Sequence, residues 1–191
     1  MLLTVKTRQK YLKALGFYSG AIDGRVGPLT KAAYKALQDK YFIRDEDKDG
    51  YYGPDTDTLL RNAYNVLTHT KNFRLEEFKC KCGGRYCTGY PKVIDTQLLV
   101  NLQALRNDFG SINITSGLRC KQYNSKLAGS SSTSRHMSGK AADIKCSTSG
   151  TESGRKAIMN VWRALPKYRY TYCNIGGNYP NMGNSVHVDV K

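Results

Sequence analysis

An eight-residue pattern occurs twice near the start of the chain. Asp23–Thr30 reads D-G-R-V-G-P-L-T, and 26 residues later Asp49–Thr56 reads D-G-Y-Y-G-P-D-T. Asp-Gly makes a turn, and the second glycine allows a tight backbone before proline. The segment after proline then enters a helix, with the threonine placed to support its first turn. The helices that follow carry apolar residues at helical spacing: Ala33, Tyr34 and Leu37 within Thr30–Asp39, and Leu59, Leu60, Ala63 and Leu67 within Asp55–Leu67. An earlier helix, Lys6–Leu15, holds Leu12 and Leu15 and stops at Gly16. Three short helices joined by glycine turns make a unit of about 65 residues, near the lower size at which a core sustains itself.

One feature cuts across the repeat. Asp45, Asp47, Asp49 and Gly50 spell D-x-D-x-D-G, the opening of a calcium loop. Its twelfth position is Thr56, where bidentate glutamate is needed, so a solvated acidic loop is the favoured reading. The run Y-L-K-A-L-G-F-Y-S-G-A-I-D-G-R-V-G-P-L-T-K-A-A-Y-K-A-L-Q resembles the small three-helix peptidoglycan-binding domain carried by many bacterial and phage wall hydrolases. That resemblance covers residues 4–67 and implies a unit that anchors an enzyme to the wall. The alternative is a generic helical module whose repeat is turn chemistry alone.

Charge and cysteine divide near Asn72. The whole chain carries +15 over 191 residues; residues 1–72 hold 12 basic against 8 acidic side chains, and residues 73–191 hold 18 against 7. A polyanionic partner is expected, and nucleic acid, an anionic membrane and an anionic wall polymer all qualify. No nucleic-acid-binding motif accompanies the charge and no apolar run reaches the length of a membrane span, so neither nucleic acid nor membrane insertion is expected. The start of the chain, M-L-L-T-V-K-T-R-Q-K, places charges where a secretory signal needs its apolar stretch. Synthesis in the cytosol is therefore expected.

All six cysteines (Cys80, Cys82, Cys87, Cys120, Cys146 and Cys173) lie in the second part. The cluster C-K-C-G-G-R-Y-C offers thiolates to a structural metal, but its spacing is not that of a common zinc ribbon and no second C-x-x-C pair completes it. Reduced or partly buried thiols are the first reading, with disulfides and a structural zinc as alternatives.

After a short polar stretch, Thr68–Asn72, the pattern becomes mixed α+β: helices over Asp95–Phe109 and Thr151–Leu165, and strands over Ile112–Thr115, Ala141–Lys145 and Val186–Val190. Three segments carry chemistry: S-G-L-R (Ser116–Arg119), S-R-H-M-S-G-K-A-A-D (Ser134–Asp143) and V-H-V-D-V (Val186–Val190). His136 and Asp143 lie seven apart across a Gly139 turn, while His187 and Asp189 project from one face of a strand. Two imidazoles and one carboxylate make a tetrahedral zinc set with one position left for water, as in catalytic sites. Singly, each piece is weak, since a lone histidine is most often a surface or satisfied residue.

Together these segments resemble the zinc D-Ala-D-Ala carboxypeptidase family, in its VanY-like and phage-endolysin branch. The pattern S-x-H-x-x-G-x-A-x-D is carried by Ser134, His136, Gly139, Ala141 and Asp143, the later H-x-D by His187 and Asp189, and the upstream S-G-x-R by Ser116, Gly117 and Arg119. The resemblance implies that His136, Asp143 and His187 bind Zn2+, and that Arg119 holds a substrate carboxylate or the developing oxyanion. Several relatives place a glutamate three residues before the last zinc histidine; here that residue is Asn184, which cannot take a proton. Asp189 is then the expected general base, with orientation of a zinc histidine as its equal alternative. The Gly176–Ser185 loop is expected to wall the substrate groove, and His69 has no assigned role.

The resulting expectation is a peptidoglycan-binding domain at residues 1–70 and a zinc peptidase domain at residues 71–191 with a short antiparallel sheet. The chain would be a cell-wall lytic, endolysin-like metallopeptidase cutting peptidoglycan stem peptides or cross-links after release from the cytosol, with anionic wall polymers drawn to its basic surface. A D,D-carboxypeptidase trimming terminal D-Ala and a non-catalytic wall-binding protein are the alternatives.

Overall fold

The computed structural model describes residues 1–191. Its first unit comprises α1 (Val5–Ala14), α2 (Pro28–Tyr41) and α3 (Pro54–His69). Thr4 caps α1 by accepting the Thr7 N–H, whereas α2 and α3 each start with proline after an extended glycine and have no side-chain cap. The threonines of the repeat therefore do not support the first turn as expected. They face back into the loop, where Thr30 Oγ1 donates to the Arg25 carbonyl (3.3 Å) and Thr56 Oγ1 to the Tyr51 carbonyl (3.2 Å).

A buried glutamine organises each copy. Gln38 Nε2 donates to Asp49 Oδ1 (3.0 Å), the Tyr51 carbonyl (2.9 Å) and Thr56 Oγ1 (2.9 Å), and its Oε1 accepts the Gly50 N–H (2.7 Å). Gln9 makes the same set with Asp23, Arg25, Thr30 and Gly24. The residue after Asp-Gly gives only its backbone, which is why Arg25 and Tyr51 can differ while Asp, Gly and Thr recur. In the acidic loop, Asp45 pairs with Lys48 (2.7 Å), Asp47 with Arg44 (2.7 Å) and Asp49 serves Gln38. Protein partners thus meet all three carboxylates.

The second part holds α4 (Thr96–Phe109), β1 (Asn113–Ser116), α5 (Lys121–Asn124), β2 (Ala141–Lys145), α6 (Glu152–Ala164), β3 (Tyr168–Cys173) and β4 (Val186–Val190). The four strands form an antiparallel sheet in the order β1-β2-β4-β3, giving the expected α+β class. Strand β3 was not foreseen: a register shift between Tyr168 and Tyr170 leaves Arg169 and Tyr170 both at the surface, and beyond it Thr171 and Cys173 are buried. On β4 the valines 186, 188 and 190 join Ala142 and Ile144 of β2 in the core beneath α4 and α6, each large aliphatic burial contributing roughly 1.5–3 kcal/mol of transfer free energy. Trp162 of α6 is fully buried among them and donates its indole N–H to the Asp189 carbonyl (3.1 Å).

The two parts share packing. Asn62 of α3, fully buried, donates to the Lys92 carbonyl (2.9 Å) and accepts the Ile94 N–H (2.7 Å). Tyr41 of α2 meets Tyr90 edge-on with ring centroids 6.3 Å apart, and the stretch after α3 is pinned where Lys71 N–H reaches Gln103 Oε1 (2.8 Å). One hydrophobic cluster consequently runs from Leu12 through to Val190. No helix is long and apolar enough to cross a membrane.

Candidate active site

Asp143 of β2 and His187 of β4 are registered partners, and Ala141 lies opposite Asp189. Because side chains alternate along a strand, the valines that enter the core leave His187 and Asp189 on the other face, beside Asp143. His136 comes from a 3-10 turn, Arg135–Ser138, that ends in Gly139 at φ +73°. A Cβ on Gly139 would stand 2.1 Å from the Val93 carbonyl oxygen, and Gly139's own carbonyl accepts the Asp95 N–H (2.9 Å) at the start of α4. Seated on residues 93–95, the turn aims His136 at the sheet.

Three donor atoms converge there, within 4.8 Å of one another. Asp143 Oδ1 lies 2.8 Å from His187 Nδ1 and 3.3 Å from His136 Nε2. His136 Nδ1 lies 2.7 Å from the Gly117 carbonyl, which can only accept, so the proton sits on Nδ1 and the Nε2 lone pair faces the carboxylate. Asp143's other oxygen, Oδ2, accepts from Arg119 Nη2 (2.7 Å), and Arg119 Nε is fixed on Ser116 Oγ (2.9 Å). Asp189 Oδ2 accepts from Arg169 Nη1 (2.9 Å) and lies 3.6 Å from His187 Nε2. Its Oδ1 is buried without a partner. Tyr172 of β3, opposite His187 in register, stacks on that imidazole with centroids 4.6 Å apart.

The carboxylate and the two imidazoles differ in how the site shifts their protons. Burial works to raise the Asp143 carboxyl, but hydrogen bonds and charge from His136 and His187 outweigh it and hold the acid well below the usual carboxylate range. Burial pushes His136 below its ordinary value against the pull of Asp143, whereas for His187 the combined pull of Asp143 and Asp189 outweighs burial and raises it. His136 thus faces the Asp143 oxygen as a neutral imidazole, the state a metal needs from a ligand, whereas a cation would displace the proton that His187 holds.

The three residues line a groove of about 730 Å³. Tyr170, Tyr172 and residues 178–182 form one wall, as expected for the Gly176–Ser185 loop, and Leu127–Ser131 contributes another. The family described as Peptidase M15 matches residues 71–189. The chain belongs to the Peptidase M15 family. Ahead of that match, the description "Putative peptidoglycan binding domain" fits residues 3–60. Among curated relatives of this M15 chain, the zinc D-Ala-D-Ala carboxypeptidase of Streptomyces albus G is 30% identical over 174 residues, covering 88% of the chain and 64% of that protein. A protein of Synechococcus elongatus named "Putative OxPP cycle protein OpcA" is 33% identical over 73 residues, 37% of the chain and 15% of its own length. The chain thus spans less than two thirds of either relative.

The structure brings His136, Asp143, His187, Asp189 and Arg119 of this M15 chain into one groove. It gives Ser116 of the S-G-x-R motif a task, fixing Arg119, and adds two neighbours that the motifs did not contain: Arg169 fixes Asp189, and Tyr172 covers an imidazole. The period-two tyrosines of β3 were the available signal for Tyr172.

Proposed function

We propose that this chain is a zinc peptidase of the bacterial wall, with His136, Asp143 and His187 holding one Zn2+ and the groove receiving a peptide bond of a peptidoglycan stem peptide or cross-link. The observation that carries the reading is the convergence of His136 Nε2, Asp143 Oδ1 and His187 Nδ1 on the wall of an open groove. Two imidazole nitrogens and one carboxylate oxygen fit zinc and leave a coordination position open. Zinc bound there supplies Lewis acidity, which polarises a carbonyl and makes water a stronger acid.

The protein's own groups do the rest. Arg119 holds Asp143 by its second oxygen, keeping Oδ1 turned to the histidines, and as a lining residue of the groove it meets a substrate carboxylate or the charge growing on the scissile carbonyl oxygen. Asp189 is the other carboxylate in the groove, and it takes the proton from the attacking water and passes it to the leaving amine. Arg169 holds its Oδ2 in place. Residues 1–70 grip peptidoglycan and residues 71–191 cut it, the basic surplus of the second part favours anionic wall polymers, and the enzyme reaches the wall after release from the cytosol.

Purified sacculi incubated with the zinc-loaded chain should release free amino groups, and mass spectrometry of the fragments names the bond cut. Loss of cross-links marks an endopeptidase, and free D-Ala with cross-links intact marks a D,D-carboxypeptidase. His136→Ala and His187→Ala should be inert. A chelated, metal-free chain that cuts at the full rate would overturn the reading.

A further inference from the structure

We propose that Cys80, Cys82, Cys87 and Cys120 hold a second metal ion, a structural zinc in an all-thiolate site. The fold supplies what the sequence spacing lacked: Cys120, 33 residues beyond Cys87, closes on the C-K-C-G-G-R-Y-C loop, and all four sulphurs lie within 4.8 Å of one another. A tetrahedral zinc with bonds of about 2.3 Å needs sulphurs about 3.8 Å apart, and Cys82 Sγ and Cys87 Sγ stand 3.5 Å apart already. Cys80 and Cys120 are buried and the other two half-buried, so four protein ligands leave no open position; that is a structural site rather than a catalytic one. Four sulphur donors without carboxylate or imidazole select a soft or borderline cation over calcium or magnesium.

One further detail favours thiolate over disulfide chemistry. The Cys120 backbone N–H donates to Cys80 Sγ (3.4 Å), as amides do toward a charged sulphur.

The site would act on the groove through one short segment. Gly117 packs so closely on Phe78 that a Cβ would stand 2.6 Å from its Cα, and Leu118 N–H donates to the Phe78 carbonyl (2.8 Å). The Gly117 carbonyl holds His136, and Arg119, next to Cys120, holds Asp143. A metal clamping Cys120 to Cys80 would fix one end of that segment while Phe78 holds the other, so the cysteines are positioning residues for the site.

The test uses the full chain, purified under reductant and measured for metal. Two zinc ions per chain are expected in the wild type and one in the His136→Ala/His187→Ala double variant, which should still show a thiolate-to-cobalt charge-transfer band when loaded with Co2+. Cys82→Ser and Cys87→Ser should each remove the cysteine-bound metal while circular dichroism reports a folded chain. A wild type holding one metal that shows the thiolate band supports this site and rejects the groove zinc. One metal without the band does the reverse. Non-reducing alkylation and mass analysis that find a disulfide among the four cysteines would also overturn the proposal.

Discussion

Replacing Gly139 by alanine tests the way His136 is aimed. The residue sits at φ +73°, where an L side chain costs roughly 1–2 kcal/mol. A Cβ there would also stand 2.1 Å from the Val93 carbonyl oxygen, so backbone must move, which overpacking data put at about 1–3 kcal/mol more. Gly176 offers an internal control: at φ +57° it carries comparable torsional strain, but nothing lies within 4 Å of its missing Cβ. Gly176→Ala should therefore lose only the torsional part. Urea unfolding of both variants and the wild type, at fixed zinc concentration because a ligand of the folded state shifts the midpoint, gives the comparison at a common slope. Gly139→Ala should be the less stable by about 1–3 kcal/mol and should bind zinc more weakly, since Val93 and Asp95 seat the turn that carries His136. Equal midpoints for the two variants would refute the close approach as the reason for glycine.

Asp189→Asn should keep its groove zinc and lower turnover on sacculi by about a hundredfold or more if Asp189 moves the proton, whereas zinc affinity reduced by about ten- to a hundredfold would show that it only orients His187. Arg119→Lys keeps charge but loses the fork that joins Asp143 to Ser116, so activity should fall while the fold survives, and a variant of wild-type rate would remove Arg119 from the site. Gln38→Ala leaves the Gly50 N–H without a partner, while the Tyr51 carbonyl keeps Thr56 Oγ1, and should cost about 1–3 kcal/mol in a urea titration, against well under 1 kcal/mol for exposed surface changes. Burial would raise the Asp57 carboxyl, but hydrogen bonds from Leu3 N–H, Arg61 and Tyr52 prevail and lower it. Its stabilisation is therefore full above the unfolded value of about pH 4 and lost as pH falls through the lower folded value, so Asp57→Asn should flatten the acid limb of stability measured by urea midpoints.

What could be read beforehand was whatever the local pattern determines. The five long helices are legible to within a few residues because caps, prolines and apolar spacing are local signals, whereas the single turn α5 is not, and β2 and β4 are legible from A-A-D-I-K and V-H-V-D-V. The repeat was visible, but its cause was not: Gln9 and Gln38 precede their loops by 14 and 11 residues, and nothing in a polar helical residue says it is buried. Strand β3 escaped because its tyrosines and arginine suit a half-exposed edge as well as a loop. Within the site, motif residues were assigned singly, whereas Arg119 on Asp143 and Arg169 on Asp189 are pairings made by the sheet. Cys120 joined the cysteine loop only through the contact of Gly117 with Phe78, which no spacing rule contains.

The seam at Asn62 and Tyr41 bears on how such an enzyme would search its substrate. A catalytic unit on a flexible tether sweeps a volume around its anchor, and the tether's length sets the local concentration of reachable bonds. Here the stretch between the halves is only a few residues long and is itself hydrogen-bonded to α4, so there is no tether to sweep with. Each docking of the helical unit would present the groove to one fixed offset along the polymer. New bonds would then be reached by letting go and rebinding, so a tighter grip by residues 1–70 would slow digestion once every site within that offset had been cut.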